Sequence, residues 1–291
     1  MPDRPNLIYY YDGSFEGMLC CVFESYEKKE IPMDIIVTDT PQTTLLLTKE
    51  VTTDTEKANR VLTSISKKMG FDALDFVRRA FLTFLPHKEL NILLFLRLGY
   101  RYGPAVMNML ADDVVNTLFK AVKHLDNESH LLKGFIRFSV FNNALVAEVE
   151  PKNFVLPLLT RHFCERFPEE QFLIYDKTHG MALVYQPYQS MIMPIEDLQM
   201  PEPDEQEQSF RDLWKLFYNT IEVEGRHNPK CRMSHMPKRY WKYMTEFSGP
   251  QKRYAKPENP VKMQLPEAAA NLLLPCGPQE NERMEQQLPG I

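Results

Sequence analysis

The chain has 291 residues, is 44% hydrophobic and 11% aromatic, and carries a formal net charge of −5. That composition supplies core material for one large domain or two ordinary ones. The acidic balance excludes a protein that coats nucleic acid over its whole surface, while leaving room for a local basic face.

The start, Met-Pro-Asp-Arg-Pro-Asn, lacks a basic region followed by an apolar run, so no secretory leader is expected. No uncharged apolar run approaches the roughly 20 residues that span a bilayer. The five cysteines form no Cys-x-x-Cys pair, and a reduced cytoplasmic protein without a cofactor or metal is the expectation.

Leu7 to Tyr11 reads as a buried strand, and Asp12-Gly13-Ser14 punctuates it. Phe15, Met18, Leu19, Val22, Phe23 and Tyr26 follow at helical spacing, with Asp12 or Ser14 as the cap and Pro32 as the end of the segment. Thr43 to Val51 is β-branched and apolar, which predicts a second strand. From Thr55 to about Leu125 the pattern is helical, broken at Gly70, at Pro86 and over Gly99 to Pro104.

Phe135 to Glu148 alternates around Asn142-Asn143 and predicts a hairpin with Arg137 in its first strand. Asn153 is placed to cap a helix carrying Val155, Leu158, Leu159, His162 and Phe163. Phe172 to Asp176 and Met181 to Tyr185 predict a second hairpin. Two antiparallel hairpins with a helix on one face make a small layer of an α+β fold.

Pro194 to Gln208 is acidic and proline-bearing, and reads as an exposed linker or a proline-rich lead into the next helix. Phe210, Leu213, Trp214, Phe217, Tyr218 and Ile221 return to helical spacing. The expected organisation is one domain over residues 1–248: a helix-rich part over about 1–130, hairpin–helix–hairpin over about 133–193, and a helix plus basic segment over about 208–247. Residues 249–291, rich in Pro, Glu and Gln, read as a disordered tail.

Residues 225–243 reverse the sign of the chain. Arg226, Lys230, Arg232, Lys238, Arg239 and Lys242 lie there with no acid among them, and Tyr240, Trp241 and Tyr243 are interleaved with the last of the charges. Cations beside flat rings suit a phosphate backbone and unstacked bases. On this reading Arg226, Asn228, Lys230, Arg232, Lys238 and Arg239 hold the strand, while Tyr240 or Trp241 stacks on a base. The bland alternative is a solvated loop whose aromatics pack on the domain. His227, Cys231 and His235 lack a fourth ligand at zinc spacing, so no metal is assigned.

A second set of residues could gather as a reaction site. The Asp12-Gly13-Ser14 turn runs from a strand into a helix N-terminus, a general anion site that is equally a simple cap. Arg137, if buried, needs a carboxylate, and Asp176 is the nearest candidate by predicted topology. His162 lies on an apolar stripe, where a core histidine is the commoner outcome. With Tyr11, these are the catalytic candidates: Asp12, Ser14, Arg137, His162 and Asp176.

Four blocks carry a resemblance. They are Tyr11-Asp12-Gly13-Ser14-Phe15-Glu16-Gly17 with Cys20-Cys21-Val22-Phe23-Glu24; Lys133-Gly134-Phe135-Ile136-Arg137-Phe138; His162-Phe163 through Arg166-Phe167-Pro168 with Ile174-Tyr175-Asp176; and Arg226-His227-Asn228-Pro229 through Met236-Pro237-Lys238-Arg239-Tyr240-Trp241. In that order they resemble a bacterial family described only as DNA metabolism proteins. Gly225 departs from the basic or polar residue usual in the last block.

The resemblance implies a companion of a radical-SAM protein with a helix-hairpin-helix element. In other bacteria a similar domain is fused to a uracil-DNA-glycosylase-like domain. Neither glycosylase motifs nor a radical-SAM cysteine triad stand in this chain. The expected role is therefore an accessory DNA-binding or adaptor protein in DNA repair or modification. A DNA-processing enzyme, or a protein-interaction scaffold without DNA contact, are the alternatives.

Overall fold

The computed structural model describes residues 3–38, 46–195, 198, 202–221 and 228–247. Arg226, His227 and the tail expected over 249–291 lie outside the described residues. The fold is α+β, built from two sheets and interspersed helices.

The first sheet has three parallel strands, β1 (Asp3–Tyr11), β2 (Ile31–Val37) and β3 (Leu47–Glu50), in the order β2-β1-β3. Helix α1 (Phe15–Glu27) links β1 to β2 and buries Met18, Leu19, Cys20, Cys21 and Val22. Tyr9 and Tyr11 are buried in central β1, and a buried phenol needs a partner. Tyr9 Oη donates to Glu30 Oε1 at 2.6 Å, and Tyr11 Oη donates to Glu89 Oε1 at 3.0 Å. Pro32 does not end the segment. It lies inside β2, an edge strand, where a missing N–H removes no bond the sheet requires.

Four helices cover this sheet: α2 (Thr55–Met69), α3 (Phe71–Phe81), α4 (Lys88–Tyr102) and α5 (Asp113–Phe135), with a 3-10 segment at Gly103–Asn108. Gly99 does not break α4. A Cβ there would collide with Met69 Sδ, so the glycine lets α2 approach. Helix α5 outruns its expected end at Leu125 because both cores hold it: Val115, Leu118 and Val122 pack in the first, Leu125 and Leu132 in the second.

The second sheet runs β4 (Ser139–Phe141), β5 (Ala144–Val149), β6 (Phe172–Asp176), β7 (Met181–Gln186) and β8 (Gln189–Pro194), in that order across the sheet. Asn142 and Asn143 adopt φ of 48° and 62°, the mirror-image turn that closes a two-residue hairpin. The two hairpins exist, but they are not independent. Helix α6 (Leu156–Arg166) returns the chain so that β6 pairs parallel to β5, and β8 adds an unforeseen fifth strand.

Two local expectations fail. Arg137 lies between α5 and β4, outside any strand. Asn153 does not cap α6, whose cap is Val155; its Oδ1 accepts from Phe84 N at 2.9 Å instead. Helix α7 (Glu205–Thr220) is capped by Asp204, and α8 (Pro229–His235) by Asn228. The chain then closes in 3-10 turns at Lys238–Tyr243 and Thr245–Phe247. Among the described residues no helix is long and apolar enough to cross a membrane.

Candidate nucleic-acid interface

Three carboxylates anchor the end of the basic segment: Glu128 of α5, Glu150 just after β5, and Glu246 just beyond the segment. Glu128 of α5, only 2% exposed, stands on the apolar stripe with Leu125 and Leu132. Its Oε1 accepts from Lys152 N at 3.1 Å, Arg239 Nη2 at 3.0 Å and Tyr240 Oη at 3.1 Å. Its Oε2 accepts from Asn153 N at 2.9 Å and Asn153 Nδ2 at 2.6 Å. Tyr240 is therefore buried and spoken for, and burial with the Glu128 charge pushes its phenol up to about 12.

Glu150, just after β5, accepts from Lys242 Nζ and Tyr243 Oη. Those bonds, the lysine's first, hold its carboxyl below the ordinary range. Glu246 accepts from Arg137 Nε at 3.2 Å, Arg137 Nη2 at 2.8 Å and Trp214 Nε1 at 3.1 Å. Arg137 thus joins the basic segment, and its carboxylate is Glu246 rather than Asp176.

The rest of the segment is held without such carboxylates. Trp241 stacks on Phe247 at 4.5 Å between centroids and donates Nε1 to Met236 O at 2.9 Å. Arg232 and Lys238 lie over its ring at 5.6 and 5.8 Å. Arg232 Nε is buried without a hydrogen-bond partner, and Lys230 is exposed. Among the described residues Lys230, Arg232 and Lys238 have no carboxylate partner. Asn228 is occupied as the α8 cap, its Oδ1 accepting from Cys231 N at 3.0 Å.

Beside this segment is a pocket of about 200 Å³ between β4, β5, the start of α7 and the 3-10 turn. Arg137, Arg211, Lys242 and Glu148 supply its charged wall, and Phe141 and Tyr243 its aromatic one. Arg211 Nε donates to Glu207 Oε1 at 2.8 Å and its Nη2 to Ser139 Oγ at 2.6 Å.

The other candidates are elsewhere. Asp12 Oδ1 accepts from Ser14 N at 3.0 Å and Ser14 Oγ at 2.7 Å, and its Oδ2 from Thr53 Oγ1 at 2.7 Å. Burial alone would raise its pKa, but these bonds win and hold it low. Ser14 Oγ accepts from Gly17 N at 2.9 Å and caps α1. His162 sits on α6 with its ring edge-on to Phe163; burial first, then Lys133 and Arg166, push its pKa down. Asp176 is fully buried, taking Thr178 N at 3.0 Å, His179 N at 3.2 Å and His179 Nδ1 at 2.6 Å. Among the described residues no hydrogen bond or ion pair joins Arg137, His162 or Asp176 to the Asp12 turn or to one another. Among the described residues no three His, Cys, Asp or Glu side chains stand together to hold a metal ion.

The model of a family described as a domain of unknown function, DUF4130, matches residues 86–246, more than half of the chain. The chain belongs to this family. The DUF4130 match runs from just before α4 through the last 3-10 turn, and so contains Glu128, Arg137, the pocket and the whole basic segment. No curated protein matches the chain. Glu128, Glu148, Glu150, Arg211 and Glu246 were not singled out by sequence reasoning. Glu128 had a signal: an acid three residues after Leu125 and four before Leu132, on a stripe that must be buried, calls for a partner. Lys88 also went unmarked; burial pushes its ammonium pKa down, and it lies over the Phe81 ring at 4.9 Å.

Proposed function

We propose that this DUF4130 protein is an accessory single-strand-binding adaptor in DNA repair or modification, working beside a radical-SAM enzyme. One observation supports binding above the others: among the described residues Lys230, Arg232 and Lys238 have no carboxylate partner, and the last two lie over the Trp241 ring, while their neighbours Arg239 and Lys242 are anchored by glutamates. Cations free of internal partners gain most from a phosphate backbone. The DNA context and the radical-SAM partner rest on the resemblance of the four sequence blocks alone.

A second reading draws on α7. Phe210, Leu213 and Phe217 are 59%, 53% and 51% exposed on one helical stripe, which suits a scaffold that contacts protein rather than DNA.

Full-length protein titrated with a fluorescent single-stranded oligonucleotide separates these. Three phosphate contacts give a salt slope of about −2, so affinity falls about 20-fold between 50 and 200 mM salt. The oligonucleotide is recovered unchanged. Absence of binding at 50 mM salt would favour the scaffold, and chemical change of the DNA would favour an enzyme.

A further inference from the structure

We infer that the pocket bounded by Arg211, Lys242, Glu148, Phe141 and Tyr243 receives one unstacked nucleobase, and prefers a base with an amino group over thymine. This inference rests on the single-strand reading above and specifies which part of the strand is recognised.

The charges decide between a phosphate and a base. Each cation on the wall already has its own carboxylate: Arg137 has Glu246, Arg211 has Glu207, and Lys242 has Glu150. Glu148 adds a negative charge to the lining, with Lys177 at 3.7 Å from it. An isolated phosphate would meet a nearly balanced field and one facing carboxylate, and so gain little. What remains is a set of hydrogen-bonding groups. Arg211 has committed Nε and Nη2 to Glu207 and Ser139, which leaves Nη1 with no bonded partner among the described residues. Lys242 donates to Glu150 and keeps further N–H groups. Arg137 has four of its five N–H groups committed: Nη1 donates to Gly134 O at 2.8 Å and Ile136 O at 3.2 Å, and Nε and Nη2 each donate once to Glu246.

Donors from Arg211 and Lys242, an acceptor from Glu148 and two aromatic side chains suit a neutral flat ring with donor and acceptor atoms on one edge. The amino groups of cytosine, adenine and guanine donate to a carboxylate, and the adjoining ring nitrogen or carbonyl accepts from Arg or Lys. Thymine offers one edge donor, N3–H, set between two carbonyl oxygens that would both crowd the Glu148 carboxylate, whereas an amino group stands at the end of its edge. The location also fits. Lys242 belongs to the same 3-10 turn as Lys238, four residues on, or about 8 Å along its axis. That is a step of one or two nucleotides from the cations that would hold the backbone.

The test uses full-length protein and two probes. The first is a 12-residue oligothymidine, with or without one central cytosine, in fluorescence anisotropy at 50 mM salt. The second is free deoxycytidine or thymidine in saturation-transfer NMR. The single cytosine should tighten binding by about 5-fold or more. Glu148→Leu, which removes the acceptor altogether, should abolish that preference while leaving the salt slope as it was. Deoxycytidine, and not thymidine, should receive saturation from the wild-type protein. Equal affinity for both oligomers with the salt dependence intact would overturn the pocket and leave the single-strand reading standing. If neither oligomer binds, that reading fails first. The nucleoside probe then decides the pocket alone: transfer to deoxycytidine sustains it, and no transfer overturns it. Displacement of the cytosine-bearing oligomer by millimolar inorganic phosphate at constant ionic strength would mark an anion site and also overturn it.

Discussion

Replacing Glu128 by glutamine keeps the side chain's shape and removes one acceptor oxygen and the charge. Five donors converge on that carboxylate, three on Oε1 and two on Oε2. An amide nitrogen on the less crowded side would still face two of them, Asn153 N and Asn153 Nδ2. Asn153 cannot turn its own oxygen inward without losing the bond its Oδ1 accepts from Phe84 N. Two buried donors without acceptors cost about 1–3 kcal/mol each, so Glu128→Gln should lose about 2–6 kcal/mol. With a urea slope of about 2–3 kcal/mol per molar, the midpoint falls by about 1–2 M. Tryptophan fluorescence follows this directly, since Trp241 stands next to the anchored Tyr240. The variant also strips the negative charge from behind Arg239, so single-strand affinity should rise at low salt while stability falls. A stability loss below about 0.5 kcal/mol, with affinity unchanged, would refute the claim that Glu128 anchors the segment.

Helix propensity alone predicts that Gly99→Ala gains about 1 kcal/mol. The new Cβ would meet Met69 Sδ and Cε, the flexible end of a buried side chain that must then repack, so the variant should gain clearly less than that in thermal melting. The full gain of about 1 kcal/mol would contradict the packing of α2 on α4. The Glu150 carboxyl is held below its ordinary 4.5 by Lys242 and Tyr243, so the stability it contributes is fully present above that pH. It is lost as pH falls through the lower folded value. Wild type and Glu150→Gln should therefore differ in melting temperature at pH 6 and converge in acid; a constant gap down to pH 3 would show that the charge is not what matters.

Local rules made much of the fold legible. The Ser14 cap, the Asn142-Asn143 turn and the strands over Phe172–Asp176 and Met181–Gln186 each follow from short-range chemistry. Errors arose where tertiary packing overrode it. Helix α5 runs through Gly134 to Phe135 because two cores grip it, which takes Phe135 out of the alternation that suggested a strand. Strand β8 escaped notice because Gln189–Pro194 is an exposed edge with one β-branched residue and a terminal proline.

The basic–aromatic segment was visible as a pattern, but its division of labour was not. The carboxylate that buries Tyr240 lies 112 residues before it, and nothing in residues 225–243 announces that distance. Tyr240 and Tyr243 serve the fold, leaving Trp241 as the half-exposed ring among the cations. Likewise Asp12 and Asp176 attract attention as isolated acids, yet Asp12 spends its oxygens on Ser14 and Thr53, and Asp176 on Thr178 and His179.

The division between anchored and open cations is tested most directly by the salt slope of single-strand binding. Measured from 50 to 200 mM salt, Lys230→Glu with Lys238→Glu should reduce the slope by about 1.4, the loss of two phosphate contacts. Affinity at 50 mM salt should fall with it. Wild-type affinity and slope in that double variant would contradict the account.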